Sequence, residues 1–170
     1  MADISNFTQD GAPLFAAFAA AASWAAVFTN QRLAREALRP RLLLSPTQVY
    51  DTNARGKAST TLVILNAGHA AESVEFVLSA GGEYSCNPAG RGLLRRDELA
   101  HVSAMMLHDR DPRALAICRD INQQVWAFGS SKRPKRYNKL ADPASVWKDF
   151  YGESLDDLVS TGCNVELKPF

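Results

Sequence analysis

The chain has 170 residues and a mass of 18.6 kDa, enough for one ordinary domain and an appendage. Hydrophobic residues make up 46% and charged residues 22%, with a mean hydropathy of -0.17, which excludes a disordered chain, a collagen-like repeat and a multi-span membrane protein. The net charge of +1 hides segregation: residues 1–30 carry −2, 31–41 +3, 42–130 −1, 131–141 +5 and 142–170 −4. Blocks of like charge are where partners are usually met.

Residues 1–11 read as a short N-terminal tail. From Ala12 to Phe28, 17 residues carry no charge, and nine of them are alanine. At about 100° per residue, Leu14, Phe15, Phe18, Trp24, Val27 and Phe28 spread around most of a helix circumference. A helix apolar on all sides must be surrounded by lipid or by protein. As a helix the run spans roughly 25 Å, slightly less than the ~30 Å hydrocarbon core. Arg32, Arg35, Arg39 and Arg41 follow it, and the positive-inside bias places the N-terminus outside and the remainder in the cytoplasm. The first ten residues hold two acids and no base, which disfavours a cleaved signal peptide. Small residues four apart (Ala16/Ala20, Ala17/Ala21, Ala22/Ala26) permit close helix–helix approach, so burial in an oligomer or larger assembly is the competing reading. Pro40 stops the pattern, predicting a helix from about Pro13 to Leu38 with proline in its first turn. Residues 12–39 thus form a transmembrane helix and its Arg-rich extension.

Residues 40–141 change to alternating periodicity. Leu42–Leu44 and Thr47–Tyr50 predict one or two strands around Ser45-Pro46, and Thr60–Leu65 predicts a central strand. Asn66-Ala67-Gly68-His69 is a turn signal. Val74, Phe76 and Leu78 predict a strand with one core face, ended by Gly81-Gly82. Val102, Ala104 and Met106 give another strand, and 115–119 with 124–128 bracket a hairpin turn at Asp120-Ile121-Asn122-Gln123. Six or seven short strands separated by turns predict a mainly β, antiparallel sandwich. In residues 142–170, Asp142 reads as an N-cap, Pro143 as the first helical position and Gly152 as the stop of a short C-terminal helix. Val146, Trp147, Phe150 and Tyr151 form its docking face, and Asn164–Leu167 predicts an edge strand.

Leu65-Asn66-Ala67-Gly68-His69-Ala70-Ala71-Glu72-Ser73-Val74, with Ile117-Cys118-Arg119-Asp120-Ile121-Asn122-Gln123-Gln124-Val125-Trp126, resembles immunoglobulin-like domains of small membrane-anchored bacterial proteins. There an Asn-x-Gly turn joins two strands, and a later hairpin carries an Asp near its turn. This sequence departs at Asn122-Gln123, where glycine is usual. The resemblance implies an immunoglobulin-like fold and no activity.

Chemistry is sparse. Cys86, Cys118 and Cys163 are odd in number and lack CxxC spacing, which suits free thiols in a cytosolic domain. His69, His101 and His108 match no metal motif, although His101, His108 and Asp109 form a conceivable ligand set. No nucleophile elbow, phosphate loop or kinase signature is present. The expectation is therefore a non-catalytic protein with no cofactor, no metal and no small-molecule substrate. The strongest local signal is Lys132, Arg133, Lys135, Arg136 and Lys139, five cations in eight residues. As a solvated loop it has no partner. As a binding loop it suits anionic lipid, nucleic acid with Tyr137 stacking, or an acidic protein segment. Together these readings predict a single-span anchor carrying a cytoplasmic interaction or assembly module, whose partners are the bilayer and another protein or copies of itself.

Overall fold

Helix α1 runs Ser5–Ala37 in a computed structural model that describes residues 5–50, 56–138, 142–162 and 164–168. The chain divides into two units, Met1–Ala37 and Leu38–Phe170. The helix starts earlier than expected, so Pro13 lies in its interior. Its missing N–H removes one backbone bond without ending the helix. The stop before Pro40 is as expected, because the residue ahead of a proline is pushed out of the α region. Ser23 Oγ and Thr29 Oγ1 donate to the carbonyls of Ala19 and Ala25, each at 2.8 Å, so these hydroxyls are satisfied within the helix. Arg32 and Glu36 pair one turn apart at 3.1 Å.

The second unit is mainly β. Its strands are β1 (Leu42–Tyr50), β2 (Lys57–Asn66), β3 (Ala71–Ala80), β4 (Glu83–Leu94), β5 (Leu99–Leu107), β6 (Arg113–Arg119), β7 (Val125–Gly129), β8 (Lys135–Tyr137), β9 (Val159–Ser160) and β10 (Asn164–Lys168). They form a four-stranded sheet ordered β1-β2-β5-β10 and a six-stranded sheet ordered β8-β7-β6-β3-β4-β9. Every pairing is antiparallel except β4 with β9. Leu42, Leu62, Ile64, Val102 and Met106 from the first sheet meet Val74, Phe76, Leu78, Ala116 and Phe128 from the second in one apolar core. At about 25 cal/mol per Å² of buried apolar surface, this core is the main stabilising term.

Ser45-Pro46 does not divide β1, which is one strand of nine residues. Ala67 N donates to Arg41 O (2.9 Å) and His69 N to Arg39 O (3.2 Å), so odd-numbered residues of this strand bond toward β2. Backbone bonds alternate sides along a strand, which turns Pro46 outward, the one direction in which a missing N–H costs no ladder bond.

The strand β3 departs from a single core face: Phe76 to Ala80 are all buried. The reason is α2 (Pro143–Tyr151), which with the 3-10 turn Leu155–Asp157 covers the other side of the six-stranded sheet. Val146, Trp147, Phe150 and Leu155 pack there against Val77, Leu115, Ile117, Val125 and Ala127. The caps are those read from the sequence: the Asp142 carboxylate accepts from Ser145 N, and Gly152 takes the left-handed conformation at φ 78°.

The strands β4 and β9 carry no clear alternation in the sequence, and β8 departs from expectation. Lys135–Tyr137 is an edge strand, where a loop was expected. Its short length, its cations and the preceding Pro134 are the usual protection of a sheet edge against pairing with other chains.

Candidate functional site

Strand directions define two ends of the sheet pair. The proximal end holds the start of β1, the β2–β3 and β4–β5 loops and the β6–β7 turn. The distal end holds the β3–β4 turn and residues 108–112 and 130–134.

At the proximal end the side chain of Asn66, fully buried, makes four hydrogen bonds among the described residues. Its Nδ2 donates to the carbonyls of His69 (2.7 Å) and Leu94 (2.9 Å), and its Oδ1 accepts from the backbone N–H groups of Gly68 (3.0 Å) and Arg41 (3.4 Å). One amide thus ties together the start of β1, the β2–β3 turn and the end of β4. Gly68 is required beside it, because a Cβ there would lie 2.4 Å from Arg41 N and 2.6 Å from Arg39 O, both backbone. The Asn-x-Gly signal is therefore a clamp on residues 39–41.

The hairpin turn has a similar logic. Asp120, 3% exposed, accepts from Asn122 N (2.8 Å), Gln124 N (2.9 Å) and Trp126 Nε1 (3.1 Å). Gln123 takes φ 60°, the position where glycine is usual, and the Asp120 carboxylate holds the turn on both sides of it.

The basic run is dispersed. Lys132 and Arg133 are exposed at the distal end. Lys135 pairs with Asp149 at 3.0 Å and lies over the Phe150 ring at 4.9 Å. Tyr137, the expected stacking residue, packs against the α2 cluster and donates its hydroxyl to the same Asp149 oxygen at 2.5 Å. These two donors, the Tyr137 hydroxyl first, hold the Asp149 carboxyl below its usual range. Arg136 turns to the opposite side of the strand from Lys135 and Tyr137, and Lys139 lies outside the described residues. Within the run, Lys135 and Tyr137 thus fasten α2 to the sheet from a strand, with Arg136 aimed elsewhere.

Arg136 stands directly opposite Trp126 in register, on the same face of the pair. The Arg39 guanidinium lies over the Trp126 ring at 3.9 Å from its centroid. Arg136 is exposed, Trp126 is half-buried, and the Arg136 Nη1 donates to Gln124 Oε1 at 3.5 Å. Arg41, two residues past Arg39, is also exposed. This cation–aromatic group joins a residue from the arginine collar to one from the basic run. No sequence spacing signals it, because Arg39 and Trp126 lie 87 positions apart.

Elsewhere two concavities and the turn after β5 hold most of the remaining polar groups. A groove of about 580 Å³ is lined by Lys57, Ser59, Ser103, Met105 and Thr161. A smaller pocket of about 250 Å³ holds Arg113, Ser130, Tyr151 and Glu153. In the smaller one Arg113 pairs with Glu153 at 2.9 Å, Tyr151 donates to the Ala114 carbonyl at 2.6 Å, and Ser130 Oγ accepts from Ala114 N. His108 Nδ1 and Asp109 N both meet Gln48 Oε1, while the Asp109 carboxylate accepts from Gly81 and Asp111. Those backbone donors, Gly81 first, lower its pKa. His101 sits within β5, away from that cluster. Among the described residues no group of three His, Cys, Asp or Glu side chains gathers as metal ligands. Cys118 is a free thiol whose pKa burial raises to about 12, which leaves it inert; Cys86 is half-buried, and Cys163 lies outside the described residues.

Two surfaces remain uncovered within their own units. On α1, Phe18, Trp24 and Phe28 are 65–73% exposed and Val27 47%; Ala12, Leu14 and Phe15 belong to the same helix. Arg32 and Arg35 are exposed on its last turns. Among the described residues no helix is long and apolar enough to cross a membrane. On the outer side of the four-stranded sheet, Leu43, Val49, Met105 and Leu107 are exposed, and Leu43, Leu65 and Leu99 line up across three strands. Comparison with family models, curated proteins and solved structures finds no match to this chain.

Proposed function

We propose that this protein is a single-span, membrane-anchored interaction module, with its N-terminus outside an inner or plasma membrane and a non-catalytic immunoglobulin-like sandwich on the cytoplasmic side. The observation that carries the anchor is α1, whose aromatic side chains are exposed with no cover from its own unit and whose end gathers arginines. Its satisfied hydroxyls lower the cost of lipid contact. The immunoglobulin-like assignment rests on strand order. β1-β2-β5 opposes β4-β3-β6-β7, the partition of A-B-E and C′-C-F-G strands in such domains. The bare side of the four-stranded sheet, apolar at its centre, is the surface offered to a partner protein or a second copy.

Membrane fractionation tests the anchor. The full chain is expected in the membrane fraction, resistant to salt and carbonate and released by detergent. Deleting residues 1–30 is expected to yield a soluble, folded β unit. A full-length chain that is soluble and monomeric without detergent overturns the reading. A second reading, in which α1 is buried among protein helices of an assembly, is favoured by its modest hydropathy and its alanines four apart. It predicts one fixed high stoichiometry in detergent, measured by light scattering.

A further inference from the structure

We infer that the outer side of the four-stranded sheet pairs with the same face of a second copy of this chain, about a two-fold axis lying along β2. The inference deepens the interaction-module reading and rests on it, naming the occupant of that face. Among the described outward positions of β1, β2 and β5, the only charged side chain is Lys57, at the distal rim and paired with Glu83 at 3.8 Å. Loss of charge from the centre of a surface patch is what marks a protein–protein contact. The rows across these strands are suited to meet themselves. Leu43, Leu65 and Leu99 form one row, and Thr47, Thr61 and Ser103 form another. An axis along the middle strand lays β1 of one copy over β5 of the other. Leucines then meet leucines, and hydroxyls, each both donor and acceptor, meet hydroxyls. Shape agrees with chemistry. Val49, 67% exposed, shares a row with Ser59 and Met105, and the same axis sets it over the groove of about 580 Å³ beside those residues in the other copy. Aligned strands are an ordinary way for two sheets to pack. This axis also keeps both starts of β1 at one end of the pair, as two chains anchored in one membrane require. Pairing by faces leaves the edge of β1, with Pro46, outside the contact. Strands β1, β2 and β5, with the five residues of β10 beside them, span about 500 Å² per copy at ~3.3 Å per residue and ~4.8 Å between strands. About 1,000 Å² between two copies falls below the ~1,200–2,000 Å² of stable complexes, so the pairing is weak and depends on local concentration.

The test reconstitutes an equal mixture of heavy-nitrogen-labelled and unlabelled full chain into phosphatidylcholine liposomes and applies a lysine-reactive cross-linker. Mass spectrometry then reads links between labelled and unlabelled copies. Lys57 lies on the strand that carries the axis, so Lys57–Lys57 links between copies are expected. Lys148, on α2 across the other sheet, should give none. Thr61→Arg sets like charges together on the axis and should lower the Lys57 link about tenfold or more, as should Thr61→Glu. Mixing the two variants should restore it, which a misfolded unit could not do. Absence of Lys57 links in liposomes holding the unaltered chain overturns the second copy as occupant and leaves the anchor standing. Links that survive both charge variants overturn the face as the contact. A chain that stays out of the liposomes overturns the anchor, and the same links sought in solution then decide the pairing.

Discussion

Asn66→Ala removes the amide that joins three chain segments, and its cost can be worked from the bonds it makes. Three of the four are 3.0 Å or shorter, and the fourth is a weak 3.4 Å contact. At about 1 kcal/mol net for each good bond, the loss is roughly 3 kcal/mol. The partners stranded beside a fully buried site raise it to about 4 kcal/mol. That is a large part of the ~5–15 kcal/mol holding an ordinary domain together. Urea unfolding of the Leu38–Phe170 unit, whose core residues all lie within it, measures the loss. With a slope of about 2 kcal/mol per M, the midpoint should fall by about 2 M. Asn66→Asp keeps both acceptor contacts but deletes the donors to His69 and Leu94, and should cost nearly as much. Asn122→Ala, exposed and in the hairpin turn, should shift the midpoint hardly at all. An Asn66→Ala loss below about 1 kcal/mol would refute the clamp.

Other substitutions probe separate parts of the structure. Pro46→Val supplies an outward N–H in the middle of the edge strand β1, so the Leu38–Phe170 unit should self-associate with concentration in analytical ultracentrifugation; a strictly monomeric variant contradicts the proline's guarding role. Trp147→Ala should cost about 3–5 kcal/mol by denaturation, whereas Trp147→Phe should cost under about 1.5 kcal/mol. The ring is fully buried, but among the described residues its Nε1 has no hydrogen-bond partner to lose. The folded-state pKa of Asp149 lies below its ordinary 3.8, so its link between β8 and α2 is complete above that value and weakens as pH falls through the lowered pKa. A carboxyl NMR titration of Asp149 should show this low midpoint, and Tyr137→Phe should raise it; an unmoved midpoint removes the hydroxyl as the cause.

Local chemistry was legible where it acts through neighbouring residues. The cap at Asp142, the helix start at Pro143 and the glycine stop at Gly152 stand as read, because capping is decided within one helical turn. The hairpin around Asp120–Gln123 was legible from the same kind of short-range signal, although its backbone uses Gln123 in place of glycine. Less was visible where the outcome depends on distant partners. β4 holds glycines and polar residues that break alternation, and it becomes a strand because β3 lies beside it. The basic run looked like a loop since charge density is a solvent signal. Its pairing with Val125–Ala127 and the Asp149 carboxylate cannot be seen from composition. The same holds for Arg39 and Trp126, which folding brings together from separate segments.

The pairing of β10 with β5 carries a consequence for how the protein is made. Leu99–Ser103 take Asn164–Lys168 as neighbours, so one flank of the four-stranded sheet waits for a segment synthesised well after it. At about 5–20 residues per second, some 60 residues separate the emergence of β5 from that of its final partner, an interval of several seconds. During that interval the flank of β5 is a ready acceptor for any extended segment nearby, including another nascent copy. A chain stopped before residue 164 would keep that flank open permanently, making Asn164–Lys168 the segment that covers β5.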